Sequence, residues 1–130
     1  MKAVDTNVLL RFVLRDDEGQ FAKASEFLGS RTPDDPAFVS LIVLVELAWT
    51  LRQRYGRSRS DIHSLVATLL EAREIAFEDE GELSSILANG ERGDLADHLI
   101  AYSAKRAGCV KTVTFDRAAA KAIPSMELLA

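Results

Sequence analysis

Apolar residues recur along this chain at helical spacing in some stretches and in brief continuous runs in others, and the alternation predicts an order of strands and helices. Lys2 to Val4 forms a short strand candidate, and Asp5-Thr6-Asn7 supplies turn and cap chemistry before Val8, Leu9, Leu10, Phe12 and Val13. Phe21, Ala24, Phe27 and Leu28 repeat at helical spacing after Asp16-Asp17-Glu18, with Gly29 as terminator. Ser30 to Pro36, rich in Pro and Asp, reads as a surface loop. Ala37 to Val39 is a brief second strand, and Ser40 caps a helix that runs to about Tyr55 and ends at Gly56.

The pattern continues in the second half. Ser60 caps a helix whose inner face carries Ile62, Leu65, Val66, Leu69 and Leu70. Glu74 to Phe77 is a weak strand, and Asp79 to Ala88 a short helix closed by Asn89-Gly90. Gly93 precedes a periodic helix with Leu95, Leu99, Ile100 and Ala104, and Gly108 lies past its end. Thr112 to Phe115 is a strand, Asp116 starts a small helix, and Pro124 separates it from a terminal strand at Met126 to Leu128. Short strands alternating with helices predict an α/β layered fold with a mainly parallel sheet. No internal repeat, low-complexity segment or linker divides the chain, so one domain over residues 1–130 is expected.

Composition narrows the class. Its 48% hydrophobic and 28% charged residues suit a globular protein and are too apolar for disorder. The start, MKAVDTN, lacks the apolar core of a signal peptide, and the apolar stretch Leu41 to Val45 is far short of the roughly 20 residues a spanning helix needs. Export and membrane insertion are not expected. The single cysteine, Cys109, cannot form an internal disulfide, fits a reducing cytoplasm, and reads as core filler rather than nucleophile. A net charge of -4 argues against general nucleic-acid binding, but acids clustered around a divalent cation would be neutralised by it.

The acids carry the chemical signal. Glu46 interrupts the apolar helix Leu41-Ile42-Val43-Leu44-Val45-Glu46-Leu47-Ala48-Trp49, where an ionised group taken from water is costly unless paired or metal-bound. The alternative is a solvated stripe or a pair with Arg52 or Arg54. Asp5 and Asp116 each follow a short β-rich run and precede a helix, at the strand ends where ligands bind in open parallel sheets. Each is equally suited to helix capping. Asp94 and Asp97, three apart, share one helix face and repel unless a cation lies between them, although capping accounts for Asp94. Carboxylates from separated segments suit Mg2+ or Mn2+, whereas Cys109, His63 and His98 form no zinc motif. His98 beside the acid face is a general-base candidate or simply a structural histidine. Nucleophile elbows, Walker loops and dinucleotide fingerprints are absent.

Four segments, Val4-Asp5-Thr6-Asn7-Val8-Leu9-Leu10-Arg11, Val45-Glu46-Leu47-Ala48-Trp49-Thr50-Leu51-Arg52, Asp94-Leu95-Ala96-Asp97-His98-Leu99-Ile100-Ala101 and Thr114-Phe115-Asp116-Arg117, together resemble a VapC-type PIN domain over essentially the whole chain. The resemblance implies a PIN-like three-layer sandwich, with helices around a central mainly parallel sheet. It implies an acidic quartet at Asp5, Glu46, Asp97 and Asp116, with Asp94 as a further metal-ligand candidate and Thr6, Asn7 and Thr114 in support. It further implies a Mg2+- or Mn2+-dependent endoribonuclease, a homodimer, acting as the toxin of a toxin–antitoxin pair and inhibited by a small VapB-like antitoxin.

The corresponding mechanism is hydrolysis of RNA by water that the ions activate, with Arg11, Arg15 and Arg52 as candidate phosphate contacts and Arg54, Arg57 and Arg59 clustered nearby. Three other readings compete. A phospho-acceptor receiver domain would want an acidic pair after the first strand, where Asp5 is followed by Thr6-Asn7. A non-catalytic interaction module would have no need of the acids, and a structure-specific DNA nuclease would use the same ions.

Overall fold

The computed structural model describes residues 1–89 and 92–129. Its first sheet joins β1 (Lys2–Ala3), β2 (Ala37–Val39) and β3 (Ile75–Phe77), all parallel and in that order. The second joins β4 (Thr112–Thr114) to β5 (Met126–Leu128), also parallel. Helices flank the strands: α1 (Thr6–Leu14), α2 (Glu18–Gly29), α3 (Leu41–Gln53), α4 (Arg59–Glu71), α5 (Glu80–Ala88), α6 (Leu95–Arg106) and α7 (Arg117–Ala122). The mixed α/β architecture with parallel strands is the one the hydrophobic pattern implies. The strands form two sheets rather than one continuous sheet, and Asp5 and Asp116 therefore follow strands of different sheets.

Local chemistry sets most boundaries. Asp5, Asp17, Ser40, Ser58 and Asp116 occupy N-caps and accept hydrogen bonds from backbone N–H groups in the first turn. The cap of α4 is Ser58, not Ser60. Ser58 Oγ accepts from Asp61 N at 3.0 Å, and the Ser58–Asp61 spacing puts an acid at the third helical position, the place a capping box calls for. Gly56 and Gly108 adopt left-handed backbone beyond α3 and α6. The expected closure of α5 by Asn89-Gly90 falls partly on Gly90, outside the described residues.

The main core gathers Leu9, Val39, Leu44, Leu47, Leu51, Val66, Leu83 and Leu99, all essentially excluded from solvent. Leu44, Leu47, Ala48 and Leu51 form the inward stripe of α3, which packs on α6 through Leu95, Ala96 and Leu99. Each such leucine stabilises the fold by about 1.5–3 kcal/mol through burial. A smaller cluster of Ala101, Ala119, Ile123 and Met126 seats α7 and β5 beside α6. Cys109 is exposed just past the Gly108 turn, so the expectation that it fills the core is corrected. Among the described residues, no helix is long and apolar enough to cross a membrane.

Candidate acidic site

α3 and α6 cross so that the end of one lies beside the start of the other, and this crossing builds the candidate site. A cavity of about 110 Å3 is lined by Trp49 and Arg52 of α3, Arg59 of α4, and Asp94, Asp97 and Asp116. A neighbouring cavity of about 330 Å3 is lined by Asp5, Thr6, Asn7, Glu46, Trp49 and Arg54. Trp49 borders both. The structure thus divides the expected quartet into two adjoining pairs, Asp97 with Asp116 and Asp5 with Glu46.

Two of the acids are fixed by the same local device. Asp5 lies two residues beyond β1 and accepts from Thr6 N at 2.8 Å. Asp116 lies two residues beyond β4 and accepts from Ala119 N at 3.0 Å. Thr114 Oγ1 in turn accepts from Asp116 N at 3.0 Å, which gives Thr114 a specific supporting contact. Thr6 is buried, whereas Asn7 is exposed and faces the Asp5 cavity.

Asp97 is the strained member. Burial first, then the charges of Asp94 and Asp116, push its carboxyl above the usual carboxylate range, with His98 and Arg59 opposing the shift. Asp94 occupies the N-cap position of α6 without making a side-chain cap bond. Its Oδ1 instead accepts from Arg59 Nε at 2.6 Å and Arg52 Nε at 3.3 Å. The expected capping role of Asp94 is replaced by a double ion pair.

Glu46 corrects another expectation. It is exposed rather than buried, on an outward stripe of α3 with Ile42 and Trp49, themselves 81% and 52% exposed. Its apolar neighbours in sequence point elsewhere around the helix, so no desolvation burden marks it. What remains is its place across a cavity from Asp5.

The candidate phosphate contacts also separate. Arg11 Nη1 bonds both oxygens of Asp16, at 2.7 and 2.8 Å. The Arg15 guanidinium stacks 4.7 Å from the centroid of the Phe21 ring. Of the three, only Arg52 borders the cavity of Asp97 and Asp116. His98 Nε2 is hydrogen-bonded to the carbonyl of Arg92 and is not among the residues lining that cavity. Sequence reasoning did not single out Trp49; a large aromatic one helical step from Glu46 was the available signal.

Carboxylate oxygens are hard donors suited to Mg2+ and Mn2+, and Mg2+ commonly takes only one or two carboxylates, with water and phosphate completing its shell. Asp97 and Asp116 fit that donor chemistry, and the like-charge repulsion on Asp97 is what a cation would relieve. Among the described residues, no group of three His, Cys, Asp or Glu side chains is close enough to hold one ion.

Comparison with known proteins agrees with the fold. The chain is 29% identical over 119 residues to a protein of Aquifex aeolicus (strain VF5) named VapC ribonuclease, covering 90% of this chain and 88% of that protein. The model of the PIN domain family matches residues 2–123, and the chain belongs to that family.

Proposed function

We propose that the protein is a divalent-cation-dependent endoribonuclease, acting as the toxin of a toxin–antitoxin pair. The single observation that carries this reading is the convergence of Asp97 and Asp116 in one cavity with Arg52 and Arg59. Carboxylates for a cation beside guanidinium groups for phosphate are what hydrolysis of a phosphodiester requires. The Aquifex protein's name supports RNA as substrate; a VapB-like antitoxin as partner, a homodimeric assembly and a cytoplasmic setting belong to the same proposal. Residues 1–130 act as one PIN unit in this reading.

Asp97 and Asp116 would hold Mg2+ or Mn2+. When bound, the ion lowers the pKa of water and stabilises charge developing on phosphate oxygens. The protein's own residues supply orientation. Thr114 and the first turn of α7 fix Asp116. Arg52 and Arg59 offset the negative field that three carboxylates would present to a polyanion. Asp5 and Glu46, in the adjoining cavity that Trp49 shares, complete the acidic quartet in this reading.

The test is the chemistry of the ends. Purified protein should cut a structured RNA in Mn2+ or Mg2+ to leave 5'-phosphate and 3'-hydroxyl ends. Cutting should stop in EDTA and in Asp97→Asn and Asp116→Asn proteins. A 2'-deoxy substitution at the cleaved position should not block the chemistry. Cyclic-phosphate ends, or cutting that persists in EDTA, would overturn the mechanism and return attention to His98.

A further inference from the structure

Arg52 lies in the last turn of α3 and Arg59 opens α4, yet both donate from Nε to the same oxygen, Asp94 Oδ1, at 3.3 and 2.6 Å. These ion pairs are partly exposed, with 36% and 42% of the arginine side chains open to solvent. Exposed pairs contribute little to stability, so holding three charged groups in one geometry is poorly explained as a way of stabilising the fold. Asp94 makes no cap bond to its own helix, and its carboxylate is committed to the two arginines.

The position of the trio suggests what the arrangement does. All three residues border the cavity of Asp97 and Asp116. The Asp94 hydrogen bond dominates in holding Arg59 in its protonated form, and the more distant charges of Asp116 and Asp97 act in the same direction. Held by Nε, Arg59 keeps two Nη amino groups, which have no hydrogen-bond partner among the described residues. Arg52 Nη1 reaches the carbonyl of Arg57 at 3.4 Å, a contact that ties it to the loop before α4. A guanidinium fixed along one edge and open along the other is preorganised for the paired oxygens of a phosphate.

We propose that Asp94 is a positioning residue rather than a cation ligand, and that it presents Arg59, braced by Arg52, as the phosphate-gripping group of this cavity. The choice of an RNA phosphodiester as the ligand rests on the nuclease reading above. Arg59 touches a phosphate of the bound strand, and Asp94 acts through Arg59.

Two readouts separate this assignment from a metal-ligand role for Asp94. The first is binding of a fluorescein-labelled single-stranded RNA, followed by anisotropy in EDTA at several salt concentrations, so that binding is read without cleavage. The second is the rise in melting temperature on adding Mn2+. Arg59→Ala should weaken RNA binding about tenfold and reduce the log–log salt slope by about 1. Asp94→Asn should weaken RNA binding in the same direction, and both variants should keep the Mn2+ shift. Arg59→Lys should not restore affinity, because an ammonium lacks the second edge needed to hold Asp94 and a phosphate together. Asp97→Asn should show the reverse pattern, losing the Mn2+ shift while still binding RNA.

Loss of the Mn2+ shift in Asp94→Asn would overturn the proposal, as would wild-type affinity and salt slope in Arg59→Ala. A wild-type protein that binds RNA in this Arg59-dependent way but never cuts it would remove the nuclease reading and leave the assignment standing. A protein that cuts RNA, but whose affinity ignores both Arg59 and Asp94, would do the opposite.

Discussion

Thr114 accepts the backbone N–H of Asp116 through Oγ1 at 3.0 Å, so the last residue of β4 fixes the acid two positions beyond it. The same carboxylate caps α7 through Ala119 N. Thr114→Val removes this acceptor at nearly constant volume. The hydrogen bond is exposed, so stability should change by less than about 1 kcal/mol. Cleavage should fall about tenfold, as is common when a group orienting a metal ligand is lost. Wild-type rates in Thr114→Val would show that α7 alone positions Asp116.

Asp97 predicts a pH dependence whose sign is set by its raised carboxyl. The folded protein holds this proton more tightly than the unfolded chain. The resulting contribution to stability is complete below the ordinary value of 3.8 and disappears as pH rises through the raised folded value. In EDTA, Asp97→Asn should therefore gain on the wild type as pH is taken from below 3.8 to neutrality. Melting curves across that range would check it, and a difference independent of pH would count against the burial of Asp97 and its crowding by Asp94 and Asp116.

Glu46→Gln should leave the protein folded with a stability change within about 0.5 kcal/mol, because the side chain is exposed on α3. Its cleavage rate should nevertheless fall on the order of a hundredfold, as for loss of a charged group acting in the transition state. Paired measurements of denaturant midpoint and cleavage separate the two effects. Full activity in this variant would confine the chemistry to the cavity of Asp97 and Asp116.

Gly93 sets the entry to α6 with a φ of +81°, and an added Cβ would lie 3.1 Å from Ala122 Cβ and 3.3 Å from His98 Nε2. Both the backbone and the space oppose a side chain. Gly93→Ala should destabilise the fold by about 1–3 kcal/mol. Because Gly93 immediately precedes Asp94, RNA affinity should weaken as well. An unchanged melting temperature would count against both the left-handed backbone at Gly93 and the close approach of Ala122.

The helices were readable because their signals are local. Ser40 and Asp116 announce their caps within a few residues, and the stripe Leu44, Leu47, Ala48, Leu51 follows from helical period alone. The misplaced cap of α4 had a readable remedy in the Ser58–Asp61 spacing. Glu46 was misjudged for a geometric reason. Adjacent residues in a helix point about 100° apart, so apolar neighbours in sequence need not be neighbours in space.

The sequence by itself determined which residues could carry the chemistry, since carboxylates and guanidinium groups keep their character wherever the chain takes them. It also determined that Asp5 and Asp116 would stand between a strand and a helix, because both elements are set by short-range spacing. Only the tertiary structure decided the grouping. The packing sets Asp97 and Asp116 on one cavity and Asp5 and Glu46 on its neighbour, and the crossing of α3 and α6 joins Asp94 to Arg52 across 42 residues of sequence. Such contacts depend on how buried faces of distant helices pack, and that packing is a property of the whole core rather than of any segment.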